Sequence, residues 1–169
     1  GCERGHAAAA VRLRAGSSVG DRPVASEADR WGYDAPTLRS PLHHDVLPNG
    51  LGLLLRESHR AAVAELQIWA KVGSADERAG EAGLAHFHEH MLFKGTEKRG
   101  VGEIAGAIEG IGGRINAYTS YDTTVYHATV PSQGLDVATD VLVDMVRGSL
   151  FDPIEIAREM FSLADGMCM

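Results

Sequence analysis

The stretch 83-GLAHFHEHMLFKGT-96 is where the chain changes its period. Before it, 63-VAELQIWAKVGS-74 alternates: Leu66, Ile68, Ala70 and Val72 face one way, and Glu65, Gln67, Trp69 and Lys71 the other. That is the pattern of a half-buried strand. From Gly83 the apolar residues Leu84, Phe87 and Met91 fall at i, i+3 and i+7, one stripe of a helix. Four polar residues, His86, His88, Glu89 and His90, are set into that helix. At about 100° per residue, His86, Glu89 and His90 share an arc of about 100°, and His88 lies on the opposite side.

Working outward, 43-HHDVLPNGLGLLLRES-58 puts Pro48-Asn49-Gly50 between two apolar stretches, a hairpin signal. Residues 1–40 are rich in Ala, Arg, Gly and Ser without a sustained apolar period, and read as a flexible leader or linker ahead of a domain at 41–169. Downstream, Val101, Ile104, Ile108 and Ile111 form one face of a second helix, ended by Gly112-Gly113. The segments 114-RINAYTS-120 and 123-TTVYHATV-130 read as two strands joined by a short turn. A third helix over about 134–147 carries Leu135, Ala138, Leu142 and Met145. A fourth starts with Asp152 as N-cap, Pro153 at N1 and Glu155 at N3, as in a capping box. Strands and helices come in runs, three strands, two helices, two strands, two helices. The expected class is α+β: an antiparallel or mixed sheet with helices packed on one face.

The bulk composition narrows the function. A chain of 169 residues, 44% hydrophobic and 23% charged, suits one globular domain. A net charge of −7 argues against nucleic acid as a partner, because phosphate affinity needs clustered cations. No apolar run approaches the roughly 20 residues of a membrane span. The two cysteines, Cys2 and Cys168, stand at the extreme ends and make neither a disulfide framework nor a paired-cysteine zinc knuckle.

Two imidazoles at i, i+4 on one helix face can grip one metal ion, and a carboxylate just before the second can reach a water on it. Zinc suits nitrogen and oxygen ligands with one position left open. The plainer reading is a pair of ordinary surface or core histidines, and spacing alone leaves both open. For His88 packing or partial exposure is the expected role. His43, His44, His59 and His127 have no ligand spacing.

His86-x-x-Glu89-His90 is the inverted motif H-x-x-E-H. With its flanks Gly83-Leu84-Ala85 and Met91-Leu92-Phe93-Lys94-Gly95-Thr96, it resembles the pitrilysin/insulinase family of zinc metallopeptidases, including the processing-peptidase-like members. The likeness continues through 111-IGGRINAYTSYDTTVYHATV-130 and 135-LDVATDVLVDMVRGSLFD-152. It implies a zinc-dependent endopeptidase: His86 and His90 as ligands of Zn2+, and Glu89 as the general base that deprotonates the water. It implies substrate backbone bound along a strand edge at Asn116 and Ala117, and support of the site by Glu159 from outside the ligand set. His88 stands where the family usually has an aliphatic residue.

The resemblance also implies a third ligand, a glutamate about 76 residues beyond the second histidine. That count lands on Gly166, which has no side chain; the neighbouring carboxylate Asp165 is the substitute, about 100° around the helix. The tail 160-MFSLADGMCM-169 departs from the family's pattern, so a domain cut short or shifted in frame after Glu159 is expected. The implied partners are a peptide or unfolded-protein substrate and a second homologous domain or subunit that closes the active-site chamber. The alternative is a non-catalytic partner subunit or an inactive fragment of such a peptidase.

Overall fold

The computed structural model describes residues 7–14, 42–58 and 60–166. Its centre is a six-stranded sheet formed by β1 (Ala7–Arg14), β2 (Leu42–Val46), β3 (Gly52–Ser58), β4 (Val63–Ala70), β5 (Arg114–Thr119) and β6 (Thr124–Pro131). The order across the sheet is β2-β3-β1-β4-β6-β5. β1 runs parallel to β3, and every other pairing is antiparallel. Among the described residues four α-helices accompany the sheet: α1 (Leu84–Met91), α2 (Glu103–Glu109), α3 (Leu135–Gly148) and α4 (Pro153–Gly166). The protein is α+β with a mixed sheet, as its runs of strands and helices imply.

Within residues 1–40, read from composition as a flexible leader or linker, the structure places the strand β1 at Ala7–Arg14. β3 and β4 follow one another in the chain but do not pair; β1 lies between them, matching Ala8–Arg14 to Gly52–Ser58 and Ala7–Arg14 to Ala70–Val63. Backbone donors and acceptors on both inner edges are thereby paired, a demand that needs no side-chain alternation. An alanine run carries no period-2 signal, so composition alone reads it as linker. Residues 15–41 lie outside the described part.

The core forms between one face of the sheet and the helices. Leu66 and Ile68 of β4 and Tyr126, Ala128 and Val130 of β6 meet Ile104 and Ile108 of α2 and Ala138, Val141, Leu142 and Met145 of α3, all buried. The alternation read in β4 holds for Leu66 and Ile68; Val72 lies beyond the strand end and is 45% exposed. Likewise Val101, read as part of the α2 stripe, precedes the N-cap Gly102 and is exposed. The hairpin turn forms at Leu47–Leu51 with Gly50 at φ 86°, and Leu51 N–H donates to Asn49 Oδ1. Asp152 caps α4, its Oδ1 accepting from Ile154 N at 2.8 Å. Glu155 does not return the bond of a capping box but pairs with Arg158.

The segments on either side of α1 are tethered to the rest of the fold. On its C-terminal side, Thr96 Oγ1 and Arg99 both donate to Asp144 of α3, and Leu150 N–H donates to Gly95 O. On its N-terminal side, the short turn Ser74–Asp76 is zipped to the β5–β6 connection through Ser74 N to Ser120 O (3.1 Å) and Ala75 N to Tyr121 O (2.7 Å). The approach is so close that a Cβ on Gly73 would stand 2.4 Å from Ser120 O and 2.6 Å from Tyr121 O. Both obstacles are backbone atoms. Gly73→Ala is therefore expected to lower stability by about 1–3 kcal/mol, as overpacked sites do. A chemical-denaturation midpoint that did not move would contradict this.

Candidate metal centre

The chain enters α1 through Gly83, held at φ 89°, where a side chain is disfavoured. The helix then turns Met91 fully into the core and buries Glu89 to 8% exposure, while His86 and His88 stay exposed. Leu84, read as part of the apolar stripe, is 53% exposed. His88 points away from His86 and His90, and its ring lies 5.3 Å from that of Phe151. It takes no part in the contact between His86 and His90.

His86 and His90 meet, with Nε2 to Nε2 at 2.9 Å and the rings edge-on at 85°. The partner of His90 on its other side decides which protons lie where. Its Nδ1 stands 2.6 Å from Glu159 Oε1 on α4, and an ionised carboxylate only accepts. So Nδ1 of His90 carries a proton, and in the neutral ring Nε2 is then the nitrogen with the lone pair, facing Nε2 of His86. In a tetrahedral zinc site, nitrogens at about 2.0–2.1 Å from the ion stand about 3.3 Å apart. Two imidazole nitrogens already facing one another at 2.9 Å fit that requirement after a small opening, with a cation replacing the shared proton.

Glu159 is 7% exposed and lies between two groups: His90 on Oε1 and the Lys94 ammonium on Oε2, at 2.5 Å. Lys94 first, and His90 after it, hold the Glu159 carboxyl below the usual carboxylate range against the opposing effect of burial. A carboxylate on the far nitrogen of a metal-binding histidine fixes its tautomer and orientation. Glu89 is held from the sheet instead, its Oε2 accepting from Thr119 Oγ1 at the end of β5 (2.5 Å). Burial, with the Glu89 charge second, pushes the Tyr126 phenol above its ordinary range, so this side chain stays neutral near the carboxylate.

A cleft of about 350 Å³ opens beside these residues, lined by Glu89, His90, Phe93, Lys94, Ile115 and Asn116. β5 is the last strand of the sheet, so its outer edge has no strand partner among the described residues. Asn116 and Ala117 lie on it, and Asn116 Oδ1 accepts from Ala117 N–H at 2.9 Å. His86, Glu89, His90, Glu159 and Asn116 are thus brought together beside the edge strand β5. Asp165 and Gly166 lie on the last turn of α4, and the Asp165 side chain falls outside the described part. Among the described residues no three His, Cys, Asp or Glu side chains converge to hold a metal. Sequence reasoning missed Thr119 and Lys94. Each had a signal: a hydroxyl at the end of the strand carrying Asn116, and a cation one helical turn beyond His90.

The family model described as Insulinase (Peptidase family M16) matches residues 53–167. The chain belongs to the insulinase family of peptidases. Among relatives, it is 42% identical over 114 residues to a probable mitochondrial-processing peptidase subunit beta of Arabidopsis thaliana, covering 68% of this chain and 22% of that protein. It is 42% identical over 113 residues to an uncharacterized zinc protease of Rickettsia bellii, covering 67% and 27%. A protease from Helicobacter pylori shares the fold with a TM-score of 0.73 and 28% identity, over 75% of this chain and 31% of that one. The chain thus spans between a fifth and a third of the length of these relatives. In this insulinase-family domain the inverted motif lies on α1, with its two histidines in mutual contact.

Proposed function

We propose that this chain is the N-terminal catalytic region of a zinc-dependent endopeptidase. The observation that carries the reading is the facing pair of His86 and His90 Nε2 atoms, with Glu89 buried beside them and Glu159 behind His90. His86 and His90 would hold zinc, with the Asp165 carboxylate as the remaining protein ligand. Zinc bound there would acidify a water and polarise a peptide carbonyl. Glu89 would accept a proton from the attacking water through Oε1, the oxygen that Thr119 leaves free, and pass it to the leaving amine. Glu159 keeps His90 in the tautomer whose Nε2 has a free lone pair. Asn116 and Ala117 receive an extended substrate along the open edge of β5, which favours peptides or unfolded proteins over folded ones. The partial coverage of longer relatives supports a second homologous domain or subunit that closes the chamber over this edge.

The second reading, a non-catalytic partner or inactive fragment, draws on the two-ligand set among the described residues. The two part on one assay: hydrolysis of an unstructured fluorogenic peptide by the 169-residue chain, with zinc, after chelation and after zinc is restored. Cleavage that follows the zinc supports the peptidase. Cleavage that arises only when a homologous active subunit is added supports the partner role.

A further inference from the structure

Nothing but His90 hydrogen-bonds the His86 ring among the described residues, and that ring is exposed. Its location therefore depends on where the first turn of α1 stands. That turn has no side-chain cap of its own, because its N-cap is Gly83. The backbone donors at a helix start still need acceptors. Leu84 N–H finds Glu81 O at 3.1 Å. Two more are met by a residue well upstream: Glu77 Oε2 accepts from Gly83 N at 2.9 Å, and Glu77 Oε1 from Ala85 N at 2.8 Å.

We infer that Glu77 is a positioning residue for the metal site, its carboxylate seating the first turn of α1 and so setting where His86 stands. The inference rests on the reading of His86 as a metal ligand. Glu77 is suited to the task because its own place is fixed. It follows the turn Ser74–Asp76, which is zipped to Ser120 and Tyr121 and closed by Gly73 N to Asp76 Oδ2 at 2.9 Å. The same strand end holds Glu89 through Thr119. One end of β5 thus sets the start of α1 through Glu77 and its middle through Glu89, and His86 lies between the two anchors. The bonds from Ala85 and then Gly83 hold the Glu77 carboxyl below its ordinary range, so it stays an acceptor at neutral pH. Both its oxygens are used on backbone amides, so it cannot be replaced by a group that offers one acceptor and one donor.

The test compares Glu77→Gln with Val130→Ala, a core change on β6 that lowers stability without touching α1. In the full 169-residue chain, amide exchange at Gly83 and Ala85 and the ring-nitrogen NMR signals of His86 are followed. Zinc affinity is measured by competition with a chromophoric chelator. Glu77→Gln is expected to speed exchange at both amides, shift the His86 signals and weaken zinc binding roughly tenfold or more, as lost supporting bonds around a metal site do. Val130→Ala leaves all three unchanged. The inference is overturned if the two variants behave alike, or if exchange and His86 signals stay put in Glu77→Gln. If the unaltered chain takes up no zinc, the ligand reading of His86 fails. The exchange and ring signals then still decide whether Glu77 seats the helix.

Discussion

Glu89→Gln is expected to lower peptide hydrolysis by about 10²–10⁴-fold, the usual loss when a general base is removed. Bound zinc and the fold are expected to remain. The amide that replaces the carboxylate keeps a carbonyl oxygen for Thr119 Oγ1, so the bond to β5 survives the change. Glu89 points to the cleft rather than joining the facing nitrogens of His86 and His90, so the metal loses no ligand. Steady-state hydrolysis and elemental analysis on the same preparation check both halves. Loss of zinc in step with activity would assign Glu89 to the metal itself.

The largest structural effect is expected at Leu142. It is fully buried on α3, in the cluster where α2 and α3 meet β4 and β6. Leu142→Ala removes buried methyl groups and leaves a cavity, a loss of about 2–5 kcal/mol. For a domain of this size that lowers the melting temperature by on the order of 10 °C. Val101→Ala is the contrasting change: the side chain is 57% exposed, and its loss is expected within about 0.5 kcal/mol of neutral. By periodicity alone Val101 and Ile104 are equivalent members of one stripe. Thermal unfolding of both variants separates them.

That contrast marks what the sequence could and could not disclose. Hydrophobic period finds β4, β5, β6 and α3 because each buries one regular face, and Pro48-Asn49-Gly50 marks a turn through its own backbone preferences. Val101 and Leu84 escape it because a helix start is set by the glycine before it, Gly102 or Gly83, and not by the stripe. β1 escapes for a different reason: its partners β3 and β4 are far along the chain, and its alanines carry no alternation.

The candidate site divides the same way. His86, Glu89 and His90 lie within one turn and a half of helix, so spacing alone brings them together. Thr119, Lys94 and Glu77 act across turns and elements, through bonds of 2.5–2.9 Å that no local pattern announces. Glu159 was reached through the family resemblance, and its bond to His90 spans 69 positions.

A zinc site on α1 would stand or fall with its two facing histidines. The direct measurement is zinc bound per chain, by elemental analysis after dialysis against a weak chelator, for the 169-residue protein and for His86→Ala. Close to one zinc per chain is expected, lost in the variant. No zinc retained by either chain, or equal zinc in both, would contradict it.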